Sequence, residues 1–457
     1  MSPGRAAEDG TDDGVHDNID DAVDKGVDTG GPTRAAFARS ADREARLAQR
    51  AVYVAFIGSG FGFASWAARI PGLRDELQAT PAVLGLVLLS VAVGSLIALP
   101  LAGMVVTRIG TARAVAVMVL TVAAGLATVG FGYPYGIPPV VAGLFLIGFG
   151  TGTWDVAMNV EGAAVEQRIG RSVMPKFHAG FSVGTVAGAL LGSAMVALEL
   201  SITVHLVGVA VVVALAVPFA VRSFLPSRPA SEAKEERSPH PLQAWTEPRT
   251  LFIGVFVLCM AFTEGTGNDW LGVAVIDGYD AAPALGPLTF SIFLAAMTLG
   301  RWFGPGVIDR FGRVPVIRAS AGVALVGLLL VVFGQVLPVA FAGSVLWGLG
   351  AALGFPVGMS AASDDPKRAA ARVSVVASIG YTAFLAGPPL IGFLGDRVGV
   401  LKALTVAAGL LALAVGIAGC CRPVEAGGVR DATLDDARLE NGSDGPSQTR
   451  EGIDEHR

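Results

Sequence analysis

Charge is what this 457-residue chain has least of: Asp, Glu, Lys and Arg together make 16% of it, against 53% apolar residues. A water-soluble fold of this length carries more, so the composition points to a protein that sits in a bilayer. Cysteine is scarcer still, with three in all: Cys259 lies in an apolar run and the Cys420-Cys421 pair ends another, a spacing that suits neither a disulfide framework nor a metal site. The Gly-x-x-x-x-Gly-Lys-Ser/Thr phosphate loop does not occur, which removes ATP as an energy source within the chain. Period-2 alternation is also missing, and with it any case for strands; helices are then the way to satisfy the backbone in lipid. Residues 1–50 are polar and no small-residue cleavage site follows the first apolar run, so that run is expected to stay in the mature protein.

What the chain has instead is long apolar stretches and 60 glycines. A helix needs about 20 apolar residues to cross a hydrocarbon core, and twelve such stretches follow one another, with the fourth expected over 138–160 and the tenth over 338–361. The predicted fold class is an all-α membrane protein of twelve transmembrane helices in two six-helix bundles. The boundaries expected are a disordered acidic tail over 1–49, a first bundle over 50–222, a cytoplasmic linker over 223–249, a second bundle over 250–421 and a disordered acidic tail over 422–457. The tails explain the net charge of −5: residues 1–30 hold nine acidic and two basic side chains, and 423–457 hold nine and four. Without them the rest is basic. Of the Lys and Arg flanking the helices, 22 fall on one side and only Arg69, Arg74, Arg397 and Lys402 on the other, which predicts both termini in the cytoplasm of a multi-pass plasma-membrane protein.

The halves repeat. A basic turn, Gly306-Val-Ile-Asp-Arg-Phe-Gly-Arg313, sits between two apolar runs, and a weaker copy, Gly103-Met-Val-Val-Thr-Arg-Ile-Gly110, sits in the same setting in the first half. Gly143, Gly148, Gly150, Gly180 and Gly192 recur as Gly343, Gly348, Gly350, Gly380 and Gly392 at a constant shift. That is a parallel repeat about an axis along the membrane normal. Its glycine rows let helices approach closely where lipid offers no hydrophobic drive for association.

Polar groups inside the expected helices are few. A charge near the bilayer centre costs about 3 kcal/mol on insertion scales, so such groups usually face a cavity or one another. Asp155 and Asn159 share a face of the fourth helix; His178, Ser182 and Thr185 share one of the fifth; Glu264 and Asn268 share one of the seventh, with Asp269 and Trp270 beyond them. Asp155 either anchors its helix by pairing with His178 or carries substrate or proton. Glu264 shows no evident cation on its own helix, and Asp269 is placed close enough to the outer interface to be solvated. Arg301, in the eighth helix, is expected to snorkel or to latch the turn at Asp309. Trp66, Trp154 and Trp270 could stack on a flat ligand face. Because desolvation makes a carboxyl hold its proton longer, Asp155 and Glu264 are the expected proton carriers.

The pattern Gly-x-x-x-Asp-Arg-x-Gly at Gly306, Asp309, Arg310 and Gly312, followed by Arg313, resembles the signature loop of the major facilitator superfamily of transporters. Gly103, Arg108 and Gly110 are its weaker counterpart, with Thr107 where the family has Asp. The polar constellation around Asp155, His178 and Glu264 resembles a bacterial branch grouped with fucose permease-like members. The resemblance implies two bundles rocking about a central site and a secondary transporter rather than an enzyme. It makes carboxylate-driven proton symport one possibility, with a proton gradient in place of a cofactor; because Arg301 is the one strong cation expected near the cavity, a neutral polar solute such as a sugar, or a cationic one, is favoured over a multiply anionic one. Export of drugs or metabolites is the alternative, and a non-transporting sensor a third reading. The partners expected are the bilayer and the solute, with no nucleic acid and a working monomer. Departures lower the drug-export reading: Leu144 and Phe145 stand where the fourth helix of relatives carries Arg, and Gly184-Thr-Val-Ala-Gly188 replaces the antiporters' Gly-Pro element. Gly180-Phe-Ser-Val-Gly184 fits a hydrolase elbow in letters only, since it lies within one apolar helix.

Overall fold

The computed structural model describes residues 32–171, 173–225, 241–365 and 368–423, so most of both expected tails and of the linker lies outside the described residues. Among the described residues twelve helices are long and apolar enough to cross a membrane: α1 (Arg43–Glu76), α2 (Pro81–Ile109), α3 (Thr111–Tyr135), α4 (Ile137–Ile169), α5 (Met174–Ala197), α6 (Ile202–Ser223), α7 (Pro248–Tyr279), α8 (Leu285–Phe311), α9 (Arg313–Phe333), α10 (Leu337–Ala362), α11 (Ala371–Val398) and α12 (Val400–Cys421). Helix α1 continues upstream to Pro32, which overturns the expected disorder of residues 32–49. The segment is rich in Ala and Arg, strong helix formers that can extend a membrane helix into water. Pro241–Thr246 likewise forms a short 3₁₀ segment where only linker was expected.

The two halves repeat in packing as in sequence. In the first half α4 packs on α2 and α3, α1 on α5 and α6, and α3 on α6; in the second α10 packs on α8 and α9, α7 on α11 and α12, and α9 on α12. The equivalent glycines explain the match. A Cβ at Gly148 would run into the Val91 carbonyl of α2, and one at Gly348 into the Phe293 carbonyl of α8. The turns match as well: Gly110 (φ 80°, ψ 160°) and Gly312 (φ 84°, ψ 157°) have the same left-handed backbone, which L side chains rarely adopt. Large apolar side chains such as Phe131, Leu215, Phe219, Trp302 and Phe333 stand exposed along the spans. In water such a girdle would be a liability; in a bilayer it is the solvent-facing surface.

With twelve spans, both ends of the set lie on one side, here called the terminal side. Helix α4 runs to Ile169 rather than ending near 160, because its acidic last turns are satisfied within the half. Glu161 accepts from Thr111 Oγ1 (2.6 Å) and Leu225 N (2.7 Å), and Glu166 accepts from Val173 N and Met174 N at the start of α5 (2.7 and 2.8 Å). In the second half Asp364 receives Arg249 and Arg313 at 2.9 Å each, and Glu247 receives Arg368 (2.9 Å) and Arg372 (2.6 Å). Glu247 precedes α7, and its hydrogen bond from Arg372, with smaller contributions from Thr250 and Arg368, holds its carboxyl below the usual 4.5. A depressed acid stabilises the fold above its unfolded value and loses that contribution as the pH falls through the folded one. The melting temperature of Glu247→Gln should therefore lie below that of the parent at pH 7, and the gap should close as the pH drops below 4.5. A gap that persists unchanged in acid would remove the ion pair as its cause.

Candidate functional site

The halves meet along α2 and α11, along α5 and α8, and where the end of α1 reaches α7. Their contacts on the far side form a seal. Arg74 of α1 pairs with Asp277 of α7. Asp396 of α11 accepts from Ala82 N (3.1 Å) and Thr80 Oγ1 (3.2 Å) at the start of α2, and Ser193 Oγ of α5 donates to the Ala284 carbonyl before α8 (3.1 Å). Backbone reinforces these links: Gly85 lies against the Pro388 carbonyl and Gly392 against that of Pro81. On the terminal side Asp155 and His178 are exposed, so the cleft between the halves opens there.

Below the seal lies a cavity of about 310 Å³ between α1, α2, α7 and α11. Trp66 and Phe63 of α1, Ser95 of α2, Asn268 and Asp269 of α7, and Ser378, Tyr381 and Thr382 of α11 are in its wall. Asp269, expected near the outer interface, is instead part of this wall, because α7 extends ten residues further to Tyr279 and carries it inward. Among the described residues its carboxylate has no hydrogen-bond or ion-pair partner. Asn268 Oδ1 is buried and also lacks a donor.

Glu264 is different. Arg301 of α8 donates to its Oε1 at 2.7 Å, so the cation expected to latch the signature turn is spent inside the second half. The same guanidinium reaches the Ala352 carbonyl at 3.4 Å. That carbonyl sits where α10 breaks between Ala351 and Gly354, and Pro356, which has no N–H, cannot serve as its helical donor. Arg301 therefore points across to α7 and α10 rather than along α8 towards Asp309.

Asp155 does not pair with His178. It accepts from Asn159 Nδ2 (3.3 Å), which also bonds the Asp155 carbonyl (2.8 Å), and it acts electrostatically on Tyr381 across the cleft. His178 meets the ring of Phe56 edge-on at 5.1 Å and lies within electrostatic reach of Arg301. Two candidates leave the site. Ser182 is buried and donates to the His178 carbonyl (3.3 Å), and Trp154 is buried in the first half with its ring beside Gly58. With Asp155 facing the cleft, its neighbour one residue earlier is turned about 100° into the bundle. Trp270 is fully buried too, so Trp66 alone of the three tryptophans reaches the cavity wall. Arg69, counted with the outer basic residues, is buried and donates to His205 Nδ1 (2.9 Å) and the Leu200 carbonyl (2.8 Å).

Among the described residues the signature turns are not latched across the halves. Gly103 and Gly306 have open space beside them, Arg108 and Asp309 are exposed, Arg310 lies over the Phe311 ring (5.2 Å), and Arg313 turns to Asp364. Tyr381, Ser378, Thr382 and Ser95 escaped the sequence reading because isolated hydroxyls in a helix look like ordinary back-bonded residues. Tyr381 had a usable signal, being one of only five tyrosines.

Comparison with known proteins agrees with this architecture. The family model of the Major Facilitator Superfamily matches residues 52–383. The chain is 31% identical to the uncharacterized transporter y4wD of Sinorhizobium fredii over 76% of its own length and 91% of that protein's. It is 27% identical to the membrane protein MosC of Rhizobium meliloti, over 83% and 90% of the two. Among solved structures, the nucleoside transporter NupG superposes with a TM-score of 0.66 at 16% identity, covering 82% of this chain and 98% of that one. The E. coli fucose:proton symporter FucP superposes at 0.53 and 16% identity, covering 81% and 98%. The fold, the repeated halves, the signature turn and the relatives agree: this chain belongs to the Major Facilitator Superfamily and is a multi-pass membrane transporter of that type.

Proposed function

We propose that the protein is a proton-coupled secondary transporter of the cytoplasmic membrane that moves one small neutral or cationic solute by alternating access. Its termini lie in the cytoplasm, so the state described is open inward and sealed outward. The observation that carries this reading is Asp269: a carboxylate inside a span, in the wall of a cavity between two halves, with no partner among the described residues. An isolated charge at that depth costs about 3 kcal/mol, and binding a proton or a cationic group removes the cost. Opening the seal on one side or the cleft on the other would expose the same carboxylate to each compartment in turn. Asp155, held only by its own helix at the inner mouth, is the second proton station, while Glu264 serves the framework through Arg301.

The test begins with a thermal-shift screen of sugars, amino acids and amines on the purified protein, followed by uptake of the best solute into proteoliposomes. An imposed pH gradient should drive accumulation at least about tenfold above the no-gradient level. Asp269→Asn should abolish the accumulation while retaining one-for-one exchange at saturating solute. Accumulation that follows the gradient in Asp269→Asn as well would remove this carboxylate from the coupling.

A further inference from the structure

Which solute suits the cavity is set by the hydrogen bonds its wall has left to give. A hydroxyl owns one proton, and three of the wall's hydroxyls have spent it: Ser95 Oγ donates to the Gly148 carbonyl (2.9 Å), Ser378 Oγ to that of Ser374 (2.8 Å) and Thr382 Oγ1 to that of Ile379 (2.6 Å). Towards a ligand these groups are acceptors. Asp269 adds two more acceptor oxygens and Asn268 Oδ1 another, each without a donor. Pro388 and Pro389 within α11 cannot donate, so the carbonyls of Phe384 and Leu385, both wall residues, lack their usual helical partner. Against this surplus the wall's remaining donors are the Tyr381 hydroxyl, the Asn268 amide and the Trp66 indole, and among the described residues no Lys, Arg or His lines it. Its only formal charge is negative. Four aromatic residues, Phe63, Trp66, Tyr381 and Phe384, are also in the wall, and aromatic rings attract cations.

We infer that the cavity is a site for a small, flat organic cation rich in N–H donors, an ammonium or amidinium borne on an apolar ring, with Asp269 as its counter-ion. A neutral sugar would bring as many acceptors as donors and would leave the carboxylate uncompensated. This deepens the reading above and rests on it, because proton and cation then compete for one carboxylate, which selects exchange of the two over their joint passage. The titratable groups that share the surroundings of Asp269 are Tyr381 on α11 and, on its own helix towards the terminal side, Glu264 in its pair with Arg301; the wall residues of α1 and α2 add none.

The probe pair is benzamidine, a flat cation at neutral pH, and benzamide, its neutral isostere. Binding to the purified full-length protein is measured by calorimetry at pH 7.5. Benzamidine should bind at least about tenfold tighter than benzamide, a difference of about 1.4 kcal/mol, and acidification should weaken benzamidine but not benzamide. Asp269→Asn should bring the two within about twofold of each other, while Asp269→Glu, which keeps the charge, should retain the preference and shows that loss in the first variant is not misfolding. Equal binding of both probes to the parent, or a preference that survives Asp269→Asn, overturns the cation site. If it fails while a pH gradient still drives uptake of another solute through Asp269, proton coupling stands and only the solute class falls. If benzamidine binds as stated but no gradient effect on transport is found, the coupling falls and the cation site stands.

Discussion

Asp277→Asn combined with Asp396→Ala is expected to raise labelling from the far side of a cysteine placed at Ser378 by roughly five- to thirtyfold. The argument starts from what each carboxylate touches. Asp396 sits at the N-terminus of α2 and accepts from Ala82 N and Thr80 Oγ1, so it compensates the positive end of a helix belonging to the other half; such an interaction is worth about 1 kcal/mol. Asp277 pairs with Arg74 but is 38% exposed, and an ion pair that wet contributes at most about 1 kcal/mol. Together they bias the sealed state by about 1–2 kcal/mol, which converts to the factor stated. Ser378 lines the cavity below the seal, so a cysteine there is reached from the far side only when the seal opens. The native Cys259, Cys420 and Cys421 would be replaced first. The control is Asp75→Asn: Asp75 also bonds Arg74, at 2.7 Å, yet belongs to the same half and should leave the accessibility unchanged. Labelling that rises equally in the control would mean that local fraying of α1, not separation of the halves, admits the reagent.

The residues of that seal show what a single sequence discloses. The twelve spans and their repeat were legible because hydrocarbon thickness fixes a length and close helix approach fixes glycine spacing. The end of α4 was not, since Glu161 and Glu166 look like an exit from the membrane until Thr111, Leu225 and the start of α5 are found to satisfy them. Scarcity made the carboxylates of the site conspicuous, but periodicity reports a face and not the neighbour opposite. Glu264 therefore read as unpaired, although its cation waited on α8, and Asp269 read as solvated, although it is in the cavity wall. Asp396 offered a clue that went unused. Asp396-Arg-Val-Gly399 repeats the Asp-Arg-x-Gly letters of the signature turn, and Gly399 (φ 85°, ψ 146°) nearly repeats the backbone of Gly312. The same local shape places a carboxylate beside a foreign helix terminus on the opposite side of the membrane.

The pair between Glu264 and Arg301 leads to the largest expected loss of stability. Breaking a buried ion pair by removing one partner costs about 3–5 kcal/mol, because the remaining charge is left uncompensated. Arg301 is 33% exposed to the cleft, and water there lowers the figure for Glu264→Gln to about 2–3 kcal/mol. Arg301→Leu should cost more, since it strands Glu264 and also the Ala352 carbonyl that Pro356 leaves without a helical donor. The double variant should be less destabilised than the sum of the two by about 1.5–2 kcal/mol, the signature of a shared interaction in a double-mutant cycle. It should still fall short of the parent, because the carbonyl at the break in α10 stays unsatisfied. Unfolding in mild detergent, followed by tryptophan fluorescence, measures all three. The same series decides between the two roles open to Glu264. A framework acid predicts a less stable Glu264→Gln whose surviving molecules still respond to a pH gradient. A proton carrier predicts the reverse, full stability with the gradient response gone, and that result would move the coupling from Asp269 to Glu264.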